Sequence, residues 1–155
     1  MAETVSSLVF VGNPRRLITI SELRDPGVYC RSRPGTHVTD RFRNNVALKA
    51  KPVEVGTIFE VNENELADSL SVEEAENLLP KSLLVDESAL SAVFAEMRES
   101  DQFNEGCTYL FYTTSSVAFV FWDPGNPILI VDSLLRCDAV SWPAGMRILS
   151  LVLVK

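Results

Sequence analysis

The chain has 155 residues, 46% of them hydrophobic and 23% charged, an ordinary globular composition that argues against wholesale disorder. The net charge is −7 and the pI is near 4.7, so the chain lacks the basic character of a general nucleic-acid binder, whose phosphate contacts need clustered Lys and Arg. We expect residues 1–155 to form a single domain, and an end placed directly on an apolar strand also fits one domain of a longer protein.

The first part of the chain alternates short apolar runs with turn residues. A strand is predicted at residues 8–11, and a second apolar run follows at residues 17–20. The spacing Thr19-x-x-Glu22 is that of a capping box and predicts a helical turn over residues 21–24. Further along, strands are predicted at residues 28–31, 46–49 and 57–61, and a polar loop at residues 37–45.

Two helices are predicted in the middle of the chain. Ser71-x-x-Glu74 is a capping box that opens a short helix ending at Leu79, before a proline. A longer helix is predicted over residues 87–99 because apolar residues recur at i, i+3, i+4 and i+7. These apolar residues are Leu90, Val93, Phe94 and Met97.

The last third of the chain predicts four strands, at residues 107–113, 117–122, 128–132 and 147–154. Residues 123–127 read Asp-Pro-Gly-Asn-Pro, a strong turn between the second and third of these. The second is almost continuously apolar, which indicates a central strand buried on both faces. The aromatic residues predicted to pack the core are Phe111, Phe119, Phe121 and Trp122. The predicted fold class is α+β, a mostly antiparallel sheet with two helices inserted in the middle of the chain.

The charges are unevenly distributed along the chain. Residues 14–51 contain nine Lys or Arg against three acids, whereas residues 52–105 contain fourteen acids against two basic residues. Two interpretations stay open: the two segments attract each other within the fold, or one of them is a partner surface. The arginines predicted for a partner-binding surface are Arg15, Arg16, Arg31, Arg33, Arg41 and Arg43.

The cysteines and the single histidine do not form a recognisable metal or disulfide pattern. Cys30, Cys107 and Cys137 are an odd number without C-x-x-C spacing, and only His37 could assist them, so we predict no metal, no cofactor and a reducing cytoplasmic or nuclear location. The N-terminus lacks the layout of a signal peptide, and the longest apolar run, residues 149–154, is too short to cross a bilayer, so no membrane partner is expected.

One candidate catalytic set can be drawn from neighbouring residues, namely Cys30, His37 and Asp40. A nucleophilic cysteine needs a base within hydrogen-bond reach and a nearby helix N-terminus or cation. Cys30 is predicted to lie in the middle of a strand, so the pattern favours a structural role. Cys107 and Cys137 are interpreted as small buried apolar residues.

Parts of the chain resemble the end of the papain-like deubiquitinase domain at the start of herpesvirus large tegument proteins. The similar segments are residues 22–29, 117–122, 128–136, 143–145 and 147–154. In that family a strand hairpin leads into an Asp-x-His motif; here Asp132 occupies the aspartate position and Leu134 stands where the histidine base belongs. We expect no helix with a nucleophilic cysteine before Leu8, because the first cysteine of the sequence is Cys30. The resemblance therefore implies a scaffold without the family's catalysis that retains or replaces a binding surface.

A second resemblance concerns residues 8–29 and 115–135, which are similar to segments of a betaherpesvirus regulatory and tegument family whose members bind host proteins. Our leading hypothesis is a non-catalytic protein–protein interaction domain, a degenerate deubiquitinase fold of viral type that binds a host or viral protein. One alternative is a cysteine hydrolase that uses Cys30 or Cys107. Another is a self-assembling structural or tegument component that pairs through a hydrophobic sheet edge at residues 147–154.

Overall fold

The computed structural model describes residues 8–10, 16–69, 84–136 and 141–154, and it places eight strands in one mixed sheet. The strands are β1 (Leu8–Phe10), β2 (Arg16–Thr19), β3 (Thr36–Val38), β4 (Ile58–Leu66), β5 (Thr108–Tyr112), β6 (Ser116–Trp122), β7 (Leu129–Leu135) and β8 (Arg147–Leu153). Their order is β1-β4-β8-β5-β6-β7-β3, and β2 also pairs with β4. Five pairs are antiparallel, whereas β3–β7 and β5–β8 are parallel. The predicted α+β class with a mostly antiparallel sheet is confirmed.

The described helices are α1 (Pro26–Tyr29), α2 (Asp40–Asn45), a 3₁₀ turn (Ala47–Lys49) and α3 (Glu87–Glu99). The bounds of α3 are those predicted from its apolar spacing. Its N-cap is Asp86, whose carboxylate accepts a hydrogen bond from the N–H of Ala89. The other predicted helix, opened by Ser71, lies outside the described residues.

The main core lies between α3 and one face of the sheet. Phe94 of α3 is fully buried, with its ring centroid 6.1 Å from that of Phe42 and 5.8 Å from that of Phe103. The Phe103 ring in turn meets the Tyr109 ring edge-on at 5.2 Å. Burying each such side chain contributes about 1.5–3 kcal/mol, so this aromatic row joins α2, α3 and β5 firmly.

Strand β6 is buried on both faces, as predicted. Ala118 and Val120 face the main core, whereas Val117 belongs to a second cluster on the opposite face that includes Trp142. Of the four aromatic residues predicted for the core, Phe111 is fully buried. The other three, Phe119, Phe121 and Trp122, are half-buried.

The structure corrects the predictions for residues 21–31. Residues 21–24 form no helical turn, because the Ser21 N–H and hydroxyl bind the Glu96 carboxylate instead. The predicted strand at residues 28–31 is replaced by α1. Asp25 accepts the Gly27 N–H as the N-cap, and Pro26 takes the first helical position, where a missing N–H is tolerated.

The predicted polar loop at residues 37–45 and the strand at residues 46–49 are also wrong. Residues 37–45 instead contain most of β3, which pairs with β7, and the whole of α2. The Thr39 hydroxyl accepts the Phe42 N–H as the N-cap of α2, and the Phe42 ring fills the core. Residues 47–49 form the 3₁₀ turn, in which Ala47 is buried.

Strands β5 and β8 are joined over a short distance only. They pair at Tyr109–Arg147 and Leu110–Ile148, whereas β8 pairs with β4 over its whole length. At the far end of β5, Tyr112 bridges to Leu84 instead. β8 lies between β4 and β5, so residues 147–154 are not the sheet edge that the self-assembly alternative assumed. Among the described helices, none has the length and apolar character needed to cross a membrane.

Candidate protein-interaction surface

The structure divides the six arginines that the sequence predicted as one surface; of these, Arg15 lies outside the described residues. Arg16 is bound within the fold: it donates to Glu63 at 3.0 Å and to Gln102 at 2.7 Å. The other carboxylate oxygen of Glu63 accepts from Arg147. Glu63 is buried, so its charge depends on these two guanidinium groups. Arg16 therefore belongs to an internal ion network.

Arg41 is also used within the fold. Its guanidinium meets the Asp132 carboxylate twice, with Nε to Oδ1 at 3.1 Å and an Nη to Oδ2 at 2.5 Å. Asp132 Oδ1 also accepts from the Thr39 hydroxyl at 2.6 Å and from the Ser133 N–H at 2.8 Å. This carboxylate ties α2 to β7. Asp132, which stands at the aspartate position of the Asp-x-His motif in the resembling family, thus binds an arginine. Leu134, at the histidine position, packs against the second cluster.

Arg43 completes the carboxyl end of α1. One Nη donates to the carbonyl oxygens of Gly27 at 3.3 Å and Cys30 at 3.0 Å. These carbonyls lack intrahelical partners, so a cation at this end stabilises the turn.

Arg31 and Arg33 remain at the surface. Both are exposed, and in the described part of the chain the Arg31 side chain has no hydrogen-bond or ion-pair partner. The guanidinium of Arg33 lies over the ring of Tyr29, 4.0 Å from its centroid, and 3.8 Å from the Glu99 carboxylate. These two arginines are the part of the predicted set that faces solvent next to α1.

Tyr29 forms the rigid base of this region. Its hydroxyl donates to Glu99 at 2.6 Å, and the guanidinium of Arg24 lies 5.2 Å from its ring centroid. Burial and the bond to Glu99 raise the pKa of Tyr29 to about 12, so the phenol stays neutral. Arg24 is itself held by Glu96 at 2.8 Å and is largely buried.

Around this base the chain exposes several aliphatic side chains. Leu23 is 64% exposed, Val28 56% and Leu48 61%. A Cβ added at Gly27 would lie 4.0 Å from Leu48 Cδ2, so Leu48 is adjacent to α1. We call Leu23, Val28, Tyr29, Arg31, Arg33 and Leu48 the α1 surface. Part of it forms a cleft of about 430 Å³ lined by Arg24, Asp25, Val28, Tyr29, Arg31 and Arg33.

The candidate Cys–His–Asp set is not assembled for catalysis. Cys30 is buried, and this burial raises the pKa of its thiol to about 11, which disfavours the nucleophilic thiolate. His37 lies on β3 between two buried neighbours, so its exposed ring points away from the main core. On this outer side its Nδ1 lies 3.3 Å from the Ser32 hydroxyl. Asp40 is exposed at the start of α2.

Cys107 is also not placed beside the histidine. It directly precedes Thr108, and the rows Thr108–Phe121, Phe121–Ile130 and Ile130–His37 are in register across β5, β6, β7 and β3. Three strand spacings separate the ends of this row by roughly 14 Å. Cys137 lies outside the described residues. In the described ranges no group of three or more His, Cys, Asp or Glu side chains could hold a metal ion.

No family model, curated protein or solved structure matches this chain. The two viral resemblances therefore stay predictions, and the assignment of function depends on the surface itself. The sequence named Arg31 and Arg33, which are exposed, but gave no indication of the exposed aliphatic side chains beside them. The signal that could have located them is Asp25-Pro26, an N-cap residue followed by a proline at the first helical position.

Proposed function

We propose that the protein is a non-catalytic protein-interaction domain that contacts its partner through the α1 surface. The observation that carries this proposal is the exposure of Leu23, Val28 and Leu48 beside two exposed arginines. Single exposed aliphatic residues are common, but several around one helical turn with cationic neighbours resemble the apolar centre and polar rim of protein interfaces.

The rigidity of this region supports the proposal. Asp25 caps the start of α1, Arg43 binds its last carbonyls, and the Tyr29 hydroxyl is fixed by Glu99. A preorganised surface loses little conformational entropy when a partner binds. The resemblance to the papain-like deubiquitinase, with a leucine in place of the base, is in keeping with a viral scaffold that binds a host or viral protein without catalysis.

A second candidate, self-association, is favoured by one observation. Val152, Leu153 and Val154 are consecutive and between 44% and 64% exposed at the end of β8. Exposed apolar side chains of this kind can pack against a second copy of the chain.

The test is affinity capture of the tagged chain from cells after mild crosslinking, with bound proteins identified by mass spectrometry. The chain is compared with the double variant Val28→Asp/Leu48→Asp and with the matched control Val152→Asp, after circular dichroism shows that all are folded. We expect one near-stoichiometric partner that the wild type and the control retain and the double variant loses. A partner lost only by Val152→Asp, or none, would overturn the proposal.

A further inference from the structure

We propose, on the basis of the proposed function above, that the partner presents an acidic peptide segment containing a large apolar side chain. Its carboxylates would bind Arg31 and Arg33, and its apolar side chain would lie on Val28 and Tyr29 in the cleft.

Charge complementarity identifies this occupant. The chain as a whole carries a net charge of −7, yet three arginines and one carboxylate line the cleft. That carboxylate, Asp25, is already engaged by the Gly27 N–H. An acidic segment is therefore attracted to this cleft although the chain as a whole is negatively charged, which orients its approach.

The three arginines differ in how readily they can serve a ligand. Arg24 is committed to Glu96 and only 11% of its side chain is exposed. Arg33 faces Glu99 at 3.8 Å with both side chains exposed, a weak surface ion pair that a ligand carboxylate can replace at small cost. Arg31 has no partner among the described residues. Two guanidinium groups are thus available to bind carboxylates, and each can donate two parallel hydrogen bonds to one carboxylate.

The cleft also requires an apolar component in its ligand. Val28 is 56% exposed at its margin, and Tyr29 is half-buried at its base. A ligand made only of charged groups would leave this apolar area in water, whereas an aliphatic or aromatic side chain would cover it. The volume of about 430 Å³ lies within the range of small binding sites.

The experiment is fluorescence anisotropy with a short labelled peptide in which glutamates and leucines alternate. Two matched probes replace either every glutamate by glutamine or every leucine by serine. The protein is the wild type or the double variant Arg31→Glu/Arg33→Glu. The control Lys49→Glu/Lys51→Glu changes the net charge equally at two exposed lysines, and thermal melting verifies that each variant is folded.

We expect the wild type and the lysine control to bind the Glu/Leu peptide and the arginine variant to bind it at least about tenfold more weakly. Both replaced probes should also bind more weakly. Equal loss in the two double variants would show attraction by net charge alone and overturn the proposal. Equal binding of the glutamine probe would show an apolar contact only, and equal binding of the serine probe a simple polyanion site; either result overturns it.

Failure of the acidic-segment proposal can be distinguished from failure of the proposed interaction domain. If a partner depends on Val28 and Leu48 but neither peptide binding nor capture depends on Arg31 and Arg33, the interaction domain stands and the acidic segment fails. If capture yields no partner that depends on these residues, the proposed function itself fails.

Discussion

Five of the six described arginines between residues 16 and 43 fall into two regions of different character. Around the sheet and α3, Arg16, Arg24 and Arg41 each meet a largely buried carboxylate at hydrogen-bond distance. On the α1 surface, Arg31 and Arg33 are exposed, and the ion pair between Arg33 and Glu99 is long, at 3.8 Å. The difference shows that a cluster of arginines in a sequence can combine groups that bind largely buried carboxylates with groups that do not. Exposure alone does not separate them, because the Arg41 side chain is itself exposed; the position of the carboxylates does.

Breaking the first region at the carboxylate that two arginines share should have the largest effect on stability. Glu63→Gln leaves Arg16 and Arg147 without their shared anion, and we expect the free energy of unfolding to fall by about 3 kcal/mol. Urea denaturation measures this. The control is Glu65→Gln on the same strand, where the ion pair with Arg147 is 3.7 Å long and exposed. Equal losses in the two variants would contradict the distinction.

A smaller loss is expected at the junction of α2 and β7. Asp132→Asn keeps the shape of the side chain but removes the charge that binds Arg41, so the free energy of unfolding should fall by about 2 kcal/mol. Asp40→Asn, an exposed change in the first turn of α2, should cost about 0.5 kcal/mol. Denaturation curves for the two variants that coincide would refute this assignment.

Acidification should weaken the Arg24 contact selectively. Burial alone raises the pKa of Glu96, but the Ser21 N–H and Arg24 outweigh it and hold the pKa below 4.5. Because the folded pKa is depressed, this group stabilises the fold above the unfolded value of 4.5, and the contribution is lost as the pH falls through the folded value. Glu96→Gln should therefore be less stable than the wild type by about 1–2 kcal/mol at neutral pH.

The stability difference between these two proteins should shrink below pH 4.5, and denaturation at a series of pH values measures it. A difference that stays constant into the acid range would show that the charge of Glu96 is not responsible. Glu22→Gln, which alters the longer and exposed contact of Arg24, serves as the control.

The smallest effect on stability is expected on the α1 surface. Arg31→Glu should change the free energy of unfolding by less than about 0.5 kcal/mol, because the side chain contacts no carboxylate in the described structure. Calorimetric melting of this variant beside the wild type provides the measurement. A large destabilisation would move Arg31 from the second region to the first.

Where several neighbouring residues share one periodic signal, the sequence predicted the fold accurately. The apolar spacing of Leu90, Val93, Phe94 and Met97 located α3, and the strongly apolar segments around the Asp123 turn located β6 and β7. These signals are repeated over several turns or strand positions, so that no single residue decides them.

Short elements escaped prediction because single contacts decide them. β3 has three residues and forms through parallel pairing with a strand more than ninety positions later, which no local pattern reports. α1 depends on the Asp25 cap and Pro26, and a helix of four residues shows no repeated apolar spacing. The α1 surface combines this turn with Leu48, which is distant in sequence. No local pattern indicates that these apolar side chains lie next to Arg31 and Arg33, and the role of these arginines stays a prediction.

The brief pairing of β5 with β8 has a mechanical consequence. It divides the sheet into two panels, one made of β1, β2, β4 and β8 and the other of β5, β6, β7 and β3, with continuous ladders inside each. The first and last strands, β1 and β8, both pair with β4. A pull between them would therefore load the ladders of β4 in the first panel, while the ladders of the second panel would carry no tension.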